Sequence, residues 1–158
     1  MKTRTLPALL LTFTLAGCGG EAPEPVAVEA APAETPVTAL ERTASVSGAR
    51  VFFISPADGE TVSNPVKVVF GIEGMEVVAA GDNTPHSGHH HLLIDTGLPD
   101  LGLPIPKDSQ HVHFGDGSTE TEITLEPGQH TLQMLLGDHL HIPHDPPLIS
   151  SQIIIQVE

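Results

Sequence analysis

The chain has no tryptophan, no tyrosine and a single cysteine, Cys18, among its 158 residues. With that thiol near the N-terminus, residues 19–158 can form no disulfide, no thiolate zinc site and no blue-copper centre built on a cysteine ligand. Basic residues are scarce as well: 6 Lys and Arg stand against 20 Asp and Glu, a formal net charge of −14. Nucleic acid is therefore a poor partner, because phosphate contacts need Lys and Arg and single-strand stacking needs aromatic rings. The missing Trp and Tyr also weaken a carbohydrate-binding reading. Cations fit the charge better, although acidic surfaces are common for solubility alone. No Gly-x-Ser-x-Gly elbow or phosphate loop occurs, and no apolar pattern at helical spacing runs ten residues without a Pro or Gly breaker.

The N-terminus reads Met-Lys-Thr-Arg, followed by the apolar run Leu6 to Ala16. That run is too short to span a membrane as a helix and fits a secretory signal over residues 1–17. Leu15-Ala16-Gly17-Cys18 resembles a bacterial lipobox, in which the cysteine is acylated and becomes the first mature residue. The resemblance implies lipidation at Cys18, membrane attachment through that lipid and a place in the bacterial cell envelope. With Gly rather than Asp at position 19, it further implies the periplasmic side of the outer membrane if the host is Gram-negative. Residues 18–46 are rich in Ala, Pro and Glu without apolar periodicity, the composition of a disordered tether.

Residues 47–158 are enough for one domain with one core, which Val, Ile and Leu must fill. Extended segments recur between Pro/Gly turns: 50–54, 66–72, 89–95, 119–125, 130–136 and 149–157, with His111-Val112-His113-Phe114 between the third and fourth. About seven short strands at this spacing predict an all-β, immunoglobulin-like antiparallel β-sandwich. Phe114-Gly115-Asp116-Gly117-Ser118 with Pro127-Gly128-Gln129-His130-Thr131-Leu132 resembles polycystic-kidney-disease-type domains of that architecture. Gly88 to Asp95, His113-Phe114-Gly115 and Pro127 through His144 resemble a bacterial family of secreted domains of unassigned function. That family implies no activity, so the chemistry must come from the residues.

All 10 histidines lie between His86 and His144, and six form the His-x-His pairs His89/His91, His111/His113 and His139/His141. Alternate residues of a strand project to one face, so each such pair can close on one cation. In the expected topology the strand holding His89 and His91 runs antiparallel beside the strand that ends before Asp138. The three pairs and His144 should then converge on one rim of the sandwich. His89, His91, His111, His113, His139, His141 and His144 are the candidate ligands, and Asp95 and Asp138 are candidates to orient imidazoles by accepting a ring N–H. Asp145 reads better as a turn residue. His90 shares its face with Leu92 and Ile94 and is expected to pack inward. His130 begins its strand at the far end, roughly 20 Å away at about 3.3 Å per residue, and reads as a structural hydrogen-bonding group. His86 sits in a loop and could be ligand or bystander. Met75 could soften a site, whereas Met134 alternates with core leucines.

An imidazole set suits Cu(II) first, by its place in the affinity order, and Zn(II) second. The leading expectation is a lipid-anchored metal buffer, carrier or sensor with an unidentified metal-delivery partner. Two others stay open. One is a metal enzyme, since His89-x-His91 with Asp95 and Gly102 partly resembles the first cupin motif. The other is an adhesion module whose histidines respond to pH.

Overall fold

Val, Ile and Leu fill the extended segments, with period two in the strands buried on one face and as continuous runs where both faces are covered, and burying them makes two stacked sheets. A computed structural model describes residues 40–158; the signal segment, Cys18 and most of the expected tether lie outside the described residues. Among these residues there are nine strands and no helix: β1 (Arg50–Ser55), β2 (Thr61–Val62), β3 (Val66–Glu73), β4 (Glu76–Val77), β5 (Ser87–Ile94), β6 (His111–His113), β7 (Glu120–Ile123), β8 (Gly128–Gly137) and β9 (Ile153–Val157). They form a β-sandwich of a three-stranded sheet, β1-β3-β7, and a six-stranded sheet, β2-β9-β8-β5-β4, with β6 on β5. Two short pairings, β2 with β9 and β4 with β5, are parallel, which departs from the wholly antiparallel expectation.

The two sheets enclose one apolar core. Val66, Val68 and Phe70 of β3 meet Leu92 and Ile94 of β5, Leu132, Met134 and Leu136 of β8 and Ile153, Ile155 and Val157 of β9. Strand β9 shows the simplest pattern, with alternating buried and exposed residues from Ile153 to Val157. Strand β5 differs, because every one of its residues is buried. Its even-numbered side chains enter the core, while Leu93 packs on the other face with Ile105 and Leu135. That outer face is covered by the long excursion between β5 and β6.

Two details differ from the sequence expectation. His111–His113 does not lead into the strand that follows it. It forms its own short strand, paired antiparallel to β5 with His113 opposite His91 and His111 opposite Leu93. Segment 42–45, expected to belong to the tether, is tied to the loop after β8: Ala44 bridges Asp145, Ser45 N–H donates to the Asp145 carbonyl at 3.1 Å, and Asp145 N–H donates to the Thr43 carbonyl at 2.9 Å.

His90 enters the core beside Phe70, with ring centroids 5.0 Å apart, and neither of its ring nitrogens has a hydrogen-bond partner. Burial pushes its pKa down to about 4, so at neutral pH it is an uncharged but unsatisfied polar group. A leucine of similar volume would remove the unmet polar groups. His90→Leu is expected to stabilise the apo domain by about 1–2 kcal/mol, read from the midpoint of urea unfolding at pH 7. A drop in stability would show that the ring makes a polar contact essential to the core.

Candidate metal centre

The odd-numbered histidines of β5 face away from the core. Opposite them on β8 stand Leu135, level with His91, and Gly137, level with His89; on the other side β6 sets His113 level with His91. Residues directly opposite in a sheet share a face, so His89, His91 and His113 crowd one patch. His141 joins from the turn that follows β8.

All six separations among the four ring centroids are short: 4.9 Å for His89–His91, 5.0 Å for His89–His113, 4.8 Å for His89–His141, 5.0 Å for His91–His113, 4.8 Å for His113–His141 and 6.0 Å for His91–His141. The Nε2 atoms of His89 and His91 are 3.1 Å apart, as are those of His113 and His141. One ligand atom from each of His89, His113 and His141 lies within 4.8 Å of the others, while His91 stands beside this trio, next to His89. Four nitrogens at about 2.0–2.1 Å from a tetrahedral ion would stand roughly 3.3 Å apart, with ring centroids roughly 5 Å apart. A square-planar set would instead put both diagonal centroid pairs at about 6.4 Å at that bond length. Five separations near 5 Å and one longer edge are nearer the tetrahedron.

Two glycines make the room. A Cβ on Gly137 would come within 3.0 Å of His91 Nε2, and one on Gly115 within 2.8 Å of His113 Nε2. Neither position stood out in the sequence as part of a site, although Gly115 follows His113 at a spacing that lets the ring fold over it. The turn 138–142 is equally specific. Asp138 Oδ1 accepts from the N–H groups of Leu140 and Ile142, both at 2.9 Å, and His141 N–H donates to the Asp138 carbonyl at 2.9 Å. Ile105 N–H donates to the His141 carbonyl at 2.8 Å. His141 is thereby held at φ 67°, a left-handed conformation uncommon for a residue with a side chain.

Burial keeps the inner rings neutral. His89 is pushed down to about 4 by burial, with repulsion from His141 and His113 adding to it and the Asp138 carboxylate opposing it. His91 is pushed further, to about 2, again chiefly by burial and then by the neighbouring rings. His113, partly exposed, is lowered by burial and by His141. Neutral imidazole is the form that ligates, so these rings need lose no proton to take up a cation. The Nδ1 atoms of His89 and His91 have no hydrogen-bond partner.

The other candidates lie elsewhere. His111 shares the face of His113 but pairs with Asp108, Nδ1 to Oδ1 at 2.9 Å. His139 is not gathered with the four: it sits in a tight turn rather than on a strand, so the period-two rule that would align it with His141 does not hold there. His144 is fully buried and donates from Nε2 to the Ser87 carbonyl at 3.1 Å. Asp95 does not orient a ring of the cluster, because it caps the far end of β5. Its Oδ2 meets His130 Nδ1 at 2.6 Å, and Oδ1 accepts from Thr131 N–H at 2.8 Å. His130 Nε2 also contacts the Glu126 carbonyl at 2.8 Å. Burial alone would lower His130, but Asp95 and that carbonyl outweigh it and raise the pKa. Asp138 touches no ring through its carboxylate and instead organises the turn. His86 is exposed in the loop before β5, and Met75 and Met134 are core residues. The four histidines sit on the outer face of the sheet, near one end, rather than crowning the rim, because the odd phase of β5 points them there.

His89, His90 and His91 have folded-state pKa values below the ordinary 6.5, so the unfolded chain binds protons that the folded one refuses. Their contribution to stability is complete above about pH 6.5 and declines as the pH falls toward about 4 for His89 and His90, and further still for His91. Thermal unfolding of the metal-free protein should follow, with a melting temperature that drops across this window. A melting temperature that holds steady or rises on acidification would contradict neutral buried rings.

Residues 68–158 match the family model described as Domain of unknown function (DUF4399), a span that includes every histidine of the chain. No curated protein and no solved structure matches it. The matched span is more than half of the chain, and the chain belongs to that family.

Proposed function

We propose that this member of the DUF4399 family is a metal-binding protein that holds one divalent cation between His89, His91, His113 and His141. The gathering of His89, His113 and His141 within ligand distance of one another, with His91 packed against His89 and His113, supports this reading most strongly. Chance packing of neutral rings gives no reason for such a gathering of imidazole nitrogens from three segments, whereas a shared ion does. The same shape reverses the order of metals drawn from ligand chemistry alone. A tetrahedral set favours Zn(II), and the tetragonal preference of Cu(II) is less well met.

Four protein ligands fill a tetrahedral shell. A catalytic metal keeps one position for water or substrate, so this arrangement supports holding, carrying or buffering the ion rather than turnover. The cupin-like alternative also loses its acid, since Asp95 is engaged with His130. His89 and His91 are buried while His113 and His141 are partly exposed, so the ion would enter and leave past the outer pair. In this reading residues 1–17 direct export and Cys18 carries the lipid. The domain then works in the bacterial envelope, at the periplasmic face of the outer membrane in a Gram-negative host, where a delivery partner could exchange metal with it.

The test is elemental analysis of the full-length chain, purified without a histidine tag and exposed to Zn(II) or Cu(II). One ion per chain is expected, lost on combined replacement of His89, His91, His113 and His141 by Ala and kept on replacement of His111 and His139. No bound metal in the wild type, or equal metal in the fourfold variant, would end the proposal.

A further inference from the structure

His141 is the one member of the cluster that no strand positions, and what holds it comes from the other end of the chain. Its turn is built on Asp138, whose Oδ1 accepts two backbone N–H groups within the turn. The second carboxylate oxygen, Oδ2, accepts the hydroxyl of Thr43 at 2.7 Å, across 95 positions of sequence. Arg42 donates from Nε to the Pro143 carbonyl at 2.9 Å, and its guanidinium also reaches the His144 carbonyl and, at 3.5 Å, the Asp145 carboxylate. With the bonds between Thr43, Ser45 and Asp145, segment 42–45 holds both flanks of the turn that carries His141, Asp138 on one side and residues 143–145 on the other. A left-handed residue bearing a side chain is conformationally unfavourable and persists only where its surroundings over-determine it. Here the turn bonds and this strap supply the constraint.

We infer that segment 42–45 is a latch that fixes His141 as a metal ligand, with Thr43 a positioning residue acting through Asp138. The inference rests on the metal-binding reading above. Thr43 touches no ring of the cluster; its hydroxyl orients the carboxylate that shapes the turn. Because the latch continues directly into the N-terminal segment, whatever pulls residues 42–45 away loosens one ligand of four. Linkage makes the effect mutual: an ion that draws His141 inward tightens the latch by the same coupling free energy.

Zn(II) affinity, measured by chelator competition on the full-length protein, provides the test. Thr43→Val removes the hydroxyl at nearly constant volume and should weaken Zn(II) binding roughly 10-fold or more, the usual scale for losing a group that orients a ligand. Thr43→Ser keeps the hydroxyl and should restore the affinity, which a role in packing alone would not produce. Unchanged affinity in folded Thr43→Val, or a Thr43→Ser as weak as the valine variant, would overturn the latch while leaving the metal site standing. A wild type that takes up no Zn(II) would defeat both. Should Thr43→Val fail to fold, hydrogen exchange on the wild type decides: Zn(II) should slow the amides of Ser45 and Asp145. Equal exchange with and without Zn(II) would refute the coupling.

Discussion

Strand β5 has no face toward water. The three-stranded sheet covers its even-numbered residues, and the excursion between β5 and β6, with the turn after β8, covers the odd ones. Because side chains alternate, a shift of one residue would exchange the two sets, placing His89 and His91 in the core and His90 and Leu92 among the outer rings. The register of β5 against β8 and β6 therefore determines both the packing of the core and the composition of the cluster. Gly137 and Gly115 follow from the same constraint, since rings that cannot turn outward need space beside the backbone.

Such a cluster carries an unfavourable balance of polar groups when it stands alone. Buried imidazoles hold nitrogens that water would otherwise satisfy, and with Nε2 paired to Nε2 one ring must donate while the other accepts. The Nδ1 atoms of His89 and His91 gain nothing from their surroundings. Burial keeps the rings uncharged, and the Asp138 carboxylate lies near enough to act on His89 electrostatically. Asp138 itself stays ionised: burial works against this, but the hydrogen bonds from Thr43, Ile142 and Leu140 overcome it and keep its pKa low. Neutral donors beside a fixed negative charge form an environment matched to a cation.

Much of this was legible in the sequence, and the unreadable parts have physical causes. Extended apolar segments between Pro and Gly turns mark the strands, the one around Leu92 by its continuous apolar centre, and the His-x-His spacing of His89 and His91 puts both rings on one face. His113 joined them by a route the sequence did not disclose, because pairing of three residues with a distant strand leaves no periodic trace. His139 was misplaced by extending a strand rule into a turn, where Asp138 rather than the pleat sets direction. Asp95 orients His130 rather than a ring of the cluster, since the five residues of β5 between it and His89 carry it to the far end of the strand. Thr43 lies in a stretch whose composition reads as tether, and its side-chain hydrogen bond to Asp138 has no signature beyond the fold that makes it.

A resident ion would reconcile the four rings with their burial, and the three sources of the ligands explain why the His89/His91 motif alone does not disclose the whole set. X-ray absorption at the zinc edge of the zinc-loaded full-length chain tests this most directly. A shell of about four nitrogens at roughly 2.0–2.1 Å, with the outer scattering of imidazole, is the expected result. An oxygen-dominated shell, or one with no more than two imidazoles, would contradict it.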